Sequence, residues 1–110
     1  MARKQTERSG LQVSREQVLR RRAQRFAHRG QHRKAALVLR EAVAMTGDAP
    51  GWTRLGAMLR RAGRTSDALH AFRQALFQFR REGQPGRSRT LARLIIELDP
   101  GDHKAARLAA

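Results

Sequence analysis

The chain contains no cysteine, no tyrosine and no asparagine. Without cysteine there is no disulfide staple and no thiolate to hold a metal, so stability must come from packing, and redox chemistry does not constrain the compartment. Proline is scarce, with only Pro50, Pro85 and Pro100, which leaves long stretches free of helix breakers. No run approaches the ~20 apolar residues of a membrane helix. The charged start, with Arg3, Lys4, Glu7 and Arg8, has no apolar run behind it, so a secretory leader is not expected. Also missing are a glycine-rich phosphate loop and a pair of carboxylates in an apolar setting. Together these absences point to a soluble, cytoplasmic, non-catalytic protein with no cofactor. Its 110 residues suit a single domain, which at this size buries roughly 65% of the surface of the unfolded chain.

Acidic residues are few. Nine stand against 24 basic ones, for a net charge of +15. The excess is uneven, because residues 1–46 hold twelve basic and three acidic side chains. Such a field attracts nucleic acid, acidic proteins and anionic membranes alike. Twenty-one of the cations are Arg and three are Lys, a skew that GC-rich codons would produce as readily as a selected ligand.

What is present is helical periodicity. Residues 1–13 lack it and are expected to form a flexible basic arm. Ser14 then offers an N-cap, and Leu19, Ala23, Phe26 and Ala27 recur on one face of a helix that runs to about Arg29 and stops at Gly30. A second helix, from about His32 to Met45, presents Ala35, Leu39, Ala42 and Val43. Gly47, Asp48 and Pro50 break the chain before a third, which carries Trp52, Leu55, Gly56 and Leu59 to about Ala62. After Gly63, Thr65 or Ser66 is expected to cap a fourth, with Ala68, Leu69, Phe72, Ala75, Leu76 and Phe79 on its faces. Gly83, Pro85 and Gly86 form the next break, before a fifth helix through Leu91, Ala92, Leu94, Ile95 and Leu98. Asp99, Pro100 and Gly101 close it and leave a short helical tail from His103 to Ala110. Nothing reads as a strand.

These helices repeat. Ala23, Phe26, Gly30, Ala35, Leu39 and Ala42 map onto Gly56, Leu59, Gly63, Ala68, Phe72 and Ala75, each pair 33 residues apart. Small residues let paired helices approach, larger ones fill the gaps between them, and the two glycines turn the chain.

Trp52-x-x-Leu55-Gly56-x-x-Leu59, then Gly63, Ala68-x-x-x-Phe72 and Ala75, resembles a tetratricopeptide repeat. Leu59 stands where that family favours Tyr, and Arg80 where it often has Pro. Residues 16–48 are similar to a weaker copy, with Leu19 in place of Trp and Arg22 in place of Leu. A third unit, over 85–110, is in register if Leu91 and Ala92 take the places of Leu55 and Gly56 after a three-residue insertion. The resemblance implies an all-α domain over residues 14–110, with units at about 16–48, 49–82 and 85–110. Its helix pairs would stack antiparallel into a short right-handed superhelix whose concave groove is lined by the first helix of each pair.

Carried over by position, the resemblance places Arg20, Gln24 and His28 at that groove, then Thr53, Ala57, Arg60 and Arg61, then Arg89 and Arg93. Arginine forks bind carboxylates bidentately, so an acidic peptide or partner helix is the implied ligand and a scaffold or adaptor the implied role. The family's peptide clamps also use Asn, which this chain lacks.

The alternative is non-specific RNA or DNA binding through Arg3, Lys4 and Arg8 of the arm, with Arg21, Arg22, Arg25, Arg29, Arg33 and Lys34. Those cations cover several sides of a helix, without interleaved aromatics for base stacking. His28 and His32 are separated by Gly30 and do not make a metal pair. Ser66, Asp67 and His70 have the residue types of a hydrolytic triad, but Ser66 and Asp67 fall at a helix start, as capping residues do. Two and a fraction repeats leave apolar ends, so self-association or docking is expected, with Phe77 covered by the fifth helix or by a partner.

Overall fold

A computed structural model describes residues 14–110, and the expected arm over residues 1–13 lies outside the described residues. Six helices follow one another: α1 (Arg15–His28), α2 (His32–Thr46), α3 (Ala49–Arg61), α4 (Thr65–Arg81), α5 (Pro85–Leu98) and α6 (His103–Ala109). There is no strand among the described residues. No helix there is long and apolar enough to cross a membrane. Each helix packs against its neighbours in sequence, so the core is a seam extended helix by helix.

Local chemistry sets the boundaries. Ser14 closes a capping box on α1: its hydroxyl accepts from the Gln17 N–H at 3.1 Å, and the Gln17 side chain accepts from the Ser14 N–H. Asp48 caps α3 through the Gly51 N–H at 2.9 Å, and Asp102 caps α6 through the Ala105 N–H at 2.9 Å. Three turns share one hydrogen-bond pattern. Gly30, Gly63 and Gly83 have φ of 74°, 75° and 68°, a left-handed conformation that suits glycine. The following residue reaches back five positions in each: Gln31 to the Phe26 carbonyl, Arg64 to Leu59 and Gln84 to Phe79, at 2.8–2.9 Å.

This turn corrects two boundaries. The cap of α4 is Arg64, which makes no side-chain capping bond, and Thr65 is already helical. The glycine turn satisfies the preceding helix end through the backbone and delivers the next residue directly to the cap position. Likewise the break before α5 is Glu82, Gly83 and Gln84, because Pro85 and Gly86 occupy the first turn of α5, where proline loses no needed donor.

The core follows the small–large pattern. Ala35, Ala68 and Ala75 are fully enclosed, as are Leu55, Phe72 and Ile95. A Cβ on Gly56 would sit 2.6 Å from the Phe72 ring, so α3 and α4 touch where the side chain is missing. Burying a side chain such as Phe72 is worth about 2–3 kcal/mol. In the last unit Leu91, Ala92 and Ile95 are buried, as are Leu55, Gly56 and Leu59, each 36 residues earlier. Of the two covers expected for Phe77, α5 is not the one, since Phe77 is 60% exposed.

Ion pairs tie the later helices. The Arg73 Nη2 donates to Asp99 at 2.8 Å and to Asp102 at 3.1 Å, joining α4 to the α5–α6 turn. The Asp102 carboxyl is held below the ordinary carboxylate range, first by the Ala105 N–H and further by Arg73, against the opposing effect of burial.

Candidate interaction groove

Pocket-facing positions of α1 and α3 meet across a cavity of about 250 Å3. Ala23, Ala27, Leu39, Ala57 and Met58 supply its apolar wall; Arg20, Gln24 and Arg54 supply its polar groups. The glycine turn after each of α1 and α3 returns the chain, so the same stretch of the two helices comes to one place.

Arg20 is half-buried, and its Nε lies 3.6 Å from Glu16 one turn earlier. Such a pair contributes only about 0.3–0.5 kcal/mol, little enough for a ligand carboxylate to displace it. Arg54 is half-buried with no carboxylate partner among the described residues. An arginine beside an apolar wall is well suited to a carboxylate next to a large aliphatic group, since the guanidinium is weakly hydrated and forks two bonds.

Of the nine positions expected at the groove, Arg20, Gln24 and Ala57 line this cavity. Arg60 is engaged elsewhere, its Nη1 2.8 Å from Glu97 on α5. The Thr53 hydroxyl turns back and donates to the Ala49 carbonyl at 2.8 Å. Arg89 lines a separate cavity of about 290 Å3 with Arg80, Gln84, Ser88 and Leu108, where α5 begins beside the end of α6. His28, Arg61 and Arg93 are exposed and do not line the α1–α3 cavity. Sequence reasoning missed Arg54, Met58 and Ala27. The signal was there for two of them, because Arg54 and Met58 lie three residues before and one after Ala57, on the same side of α3.

The basic run also has a geometry. Arg21, Arg22, Arg25, Arg29, Arg33 and Lys34 are all exposed. Phe26, half-buried against the core, carries Arg22 at 5.8 Å and Lys34 at 6.0 Å from its ring centroid. The aromatic thus gathers a cation from α1 and one from α2. Arg3, Lys4 and Arg8 lie outside the described residues.

The remaining polar residues are placed otherwise. Asp67 turns to Arg64 at 3.4 Å, and the His70 ring stands edge-on to Trp52 at 6.1 Å. His28 is exposed and His32 half-buried, with the His32 Nδ1 enclosed and without a hydrogen-bond partner. Among the described residues no three metal-ligating side chains converge. Compared with known proteins, the chain matches no family model, and no curated protein matches it.

Proposed function

We propose that the chain is a tetratricopeptide-type interaction module that holds an acidic peptide or partner helix between α1 and α3. The observation that carries this is the α1–α3 cavity, where an apolar wall adjoins two half-buried arginines, one in a weak local pair and one without a carboxylate partner among the described residues. The 33-residue periodicity, the matching glycine turns and the close contact at Gly56 support helix pairs stacked in the manner of that family. The chemistry of the cavity, which offers a ligand shape and charge, supports an adaptor role.

The test is fluorescence anisotropy with a labelled helical peptide carrying Leu and Glu four residues apart. Wild-type chain is expected to bind it, and an Arg20→Glu, Arg54→Glu variant of unchanged helicity to bind at least tenfold more weakly. Equal affinity of the two proteins would remove the cavity from the function.

A second reading has its own observation in the cation pair on Phe26 beside the exposed arginines of α1. It makes this end of the molecule a phosphate-backbone contact. Binding to a single-stranded oligonucleotide that falls steeply with salt and is lost in Arg22→Glu, Lys34→Glu would favour it.

A further inference from the structure

The flank of α3 away from the α1–α3 cavity carries a second opening. Here α2 and α4 part over α3 to leave a cavity of about 330 Å3, whose apolar surface includes Val43, Trp52, Leu55, Leu59 and Ala71. A smaller one of about 90 Å3 adjoins it and shares Arg40, Leu59 and Asp67 with it. Leu37, 58% exposed, stands at the edge of the smaller part. The two form one crevice between α2 and α4.

Its charge is one-sided. Arg33, Arg40 and Arg64 line it against a single carboxylate, Asp67, which is already paired with Arg64. Arg40 has no carboxylate partner among the described residues. The molecule itself shows what belongs there. Arg40 lies 33 residues before Arg73, at the equivalent place in the repeat. Arg73 is occupied: its guanidinium donates to the carboxylates of Asp99 and Asp102, from the turn entering α6, at 2.8 and 3.1 Å. One unit earlier the same guanidinium position opens on a crevice whose one carboxylate, Asp67, is turned to Arg64 instead.

We infer that the α2–α4 crevice is a second docking site, for an acidic peptide segment whose large apolar side chain enters beside Trp52 while an adjacent carboxylate pairs with Arg40. The segment does for Arg40 what Asp99 and Asp102 do for Arg73. The site does not depend on the α1–α3 cavity, and a protein that used both would hold one partner on each flank of α3.

Trp52 is the only tryptophan in the chain, so its emission reports on this crevice. The probe is an acetylated, amidated heptapeptide with a central Leu flanked by Asp, and its control replaces Asp with Asn. Saturable change in Trp52 emission is expected with the Asp peptide, at least tenfold weaker with the Asn peptide and at least tenfold weaker in Arg40→Glu. Arg54→Glu, in the other cavity, is expected to leave the titration unchanged. If Arg54→Glu abolishes it and Arg40→Glu does not, the peptide uses the α1–α3 cavity and this site is overturned. No emission change with the peptide overturns it, as does an emission change produced only by a single-stranded oligonucleotide. Circular dichroism of each variant checks that the substitutions leave the helices intact.

Discussion

Gly56 and Gly86 have the same chemistry and opposite consequences. At Gly56 the Phe72 ring occupies the space a methyl would need, with carbons 2.6 Å from the ideal Cβ position. At Gly86 nothing lies within 4 Å. Alanine in place of a helical glycine whose conformation it can adopt gains about 0.4–1 kcal/mol, chiefly through the unfolded state. Overpacking a tight core costs about 1–3 kcal/mol, because the neighbour must leave its rotamer. Gly56→Ala is therefore expected to destabilise by about 1 kcal/mol and Gly86→Ala to stabilise by up to about 1 kcal/mol. Urea denaturation of the two variants decides this, and shifts of the same sign would show that the α3–α4 contact is not tight. The repeat pattern in the sequence marks Gly56 as a small position. That it faces a specific ring follows only from how α4 lies on α3.

At the scale of the element, α6 depends on one carboxylate. Asp102 caps its first turn and also meets Arg73. Its pKa lies below the ordinary value of about 4. A depressed folded pKa means the contribution is complete above the unfolded value and fades as pH falls through the folded one. Thermal melts at pH 7, 4 and 2 are expected to show Asp102→Asn less stable than wild type at pH 7 and 4. The difference should narrow as the pH falls to 2, because Asn still caps while only the charge is lost. A gap that stays constant over the whole range would assign the effect to packing. The other helix starts were partly legible from the sequence, as Ser14 and Asp48 show. The start of α4 was not, because a cap supplied by turn geometry alone leaves no characteristic side chain.

The whole molecule carries 24 basic against nine acidic residues. Among the described residues most carboxylates are spent on pairs and caps, as with Glu41 to Arg15, Glu97 to Arg60 and Asp99 to Arg73. Surface pairs of this kind contribute little, about 0–1 kcal/mol each, while the unpaired cations repel one another throughout. Repulsion outweighs the pairs, so raising sodium chloride from 10 to 300 mM is expected to raise the Tm by several degrees. At those concentrations the screening length falls from about 30 Å to well under 10 Å. A Tm that falls with salt would mean that the ion pairs dominate the electrostatics. A ligand that supplies carboxylates to Arg40 or Arg54 should stabilise the fold by the same logic.

The sequence by itself determined the helices, the glycine turns and the faces that pack. Each depends on interactions within a few residues, as in the Ser14–Gln17 box and the Gly30, Gly63 and Gly83 turns, or on a periodicity that any helix imposes. It also set the overall charge and the small–large order of the repeat. Only the tertiary structure decided which cations are left free. Arg60 finds Glu97 across 37 residues, and Arg73 finds Asp99 and Asp102 across 26 and 29, while Arg40 and Arg54 open on cavities. Those pairings depend on the offset between stacked helices. That offset is the sum of all the side-chain contacts between them, and no local pattern encodes it.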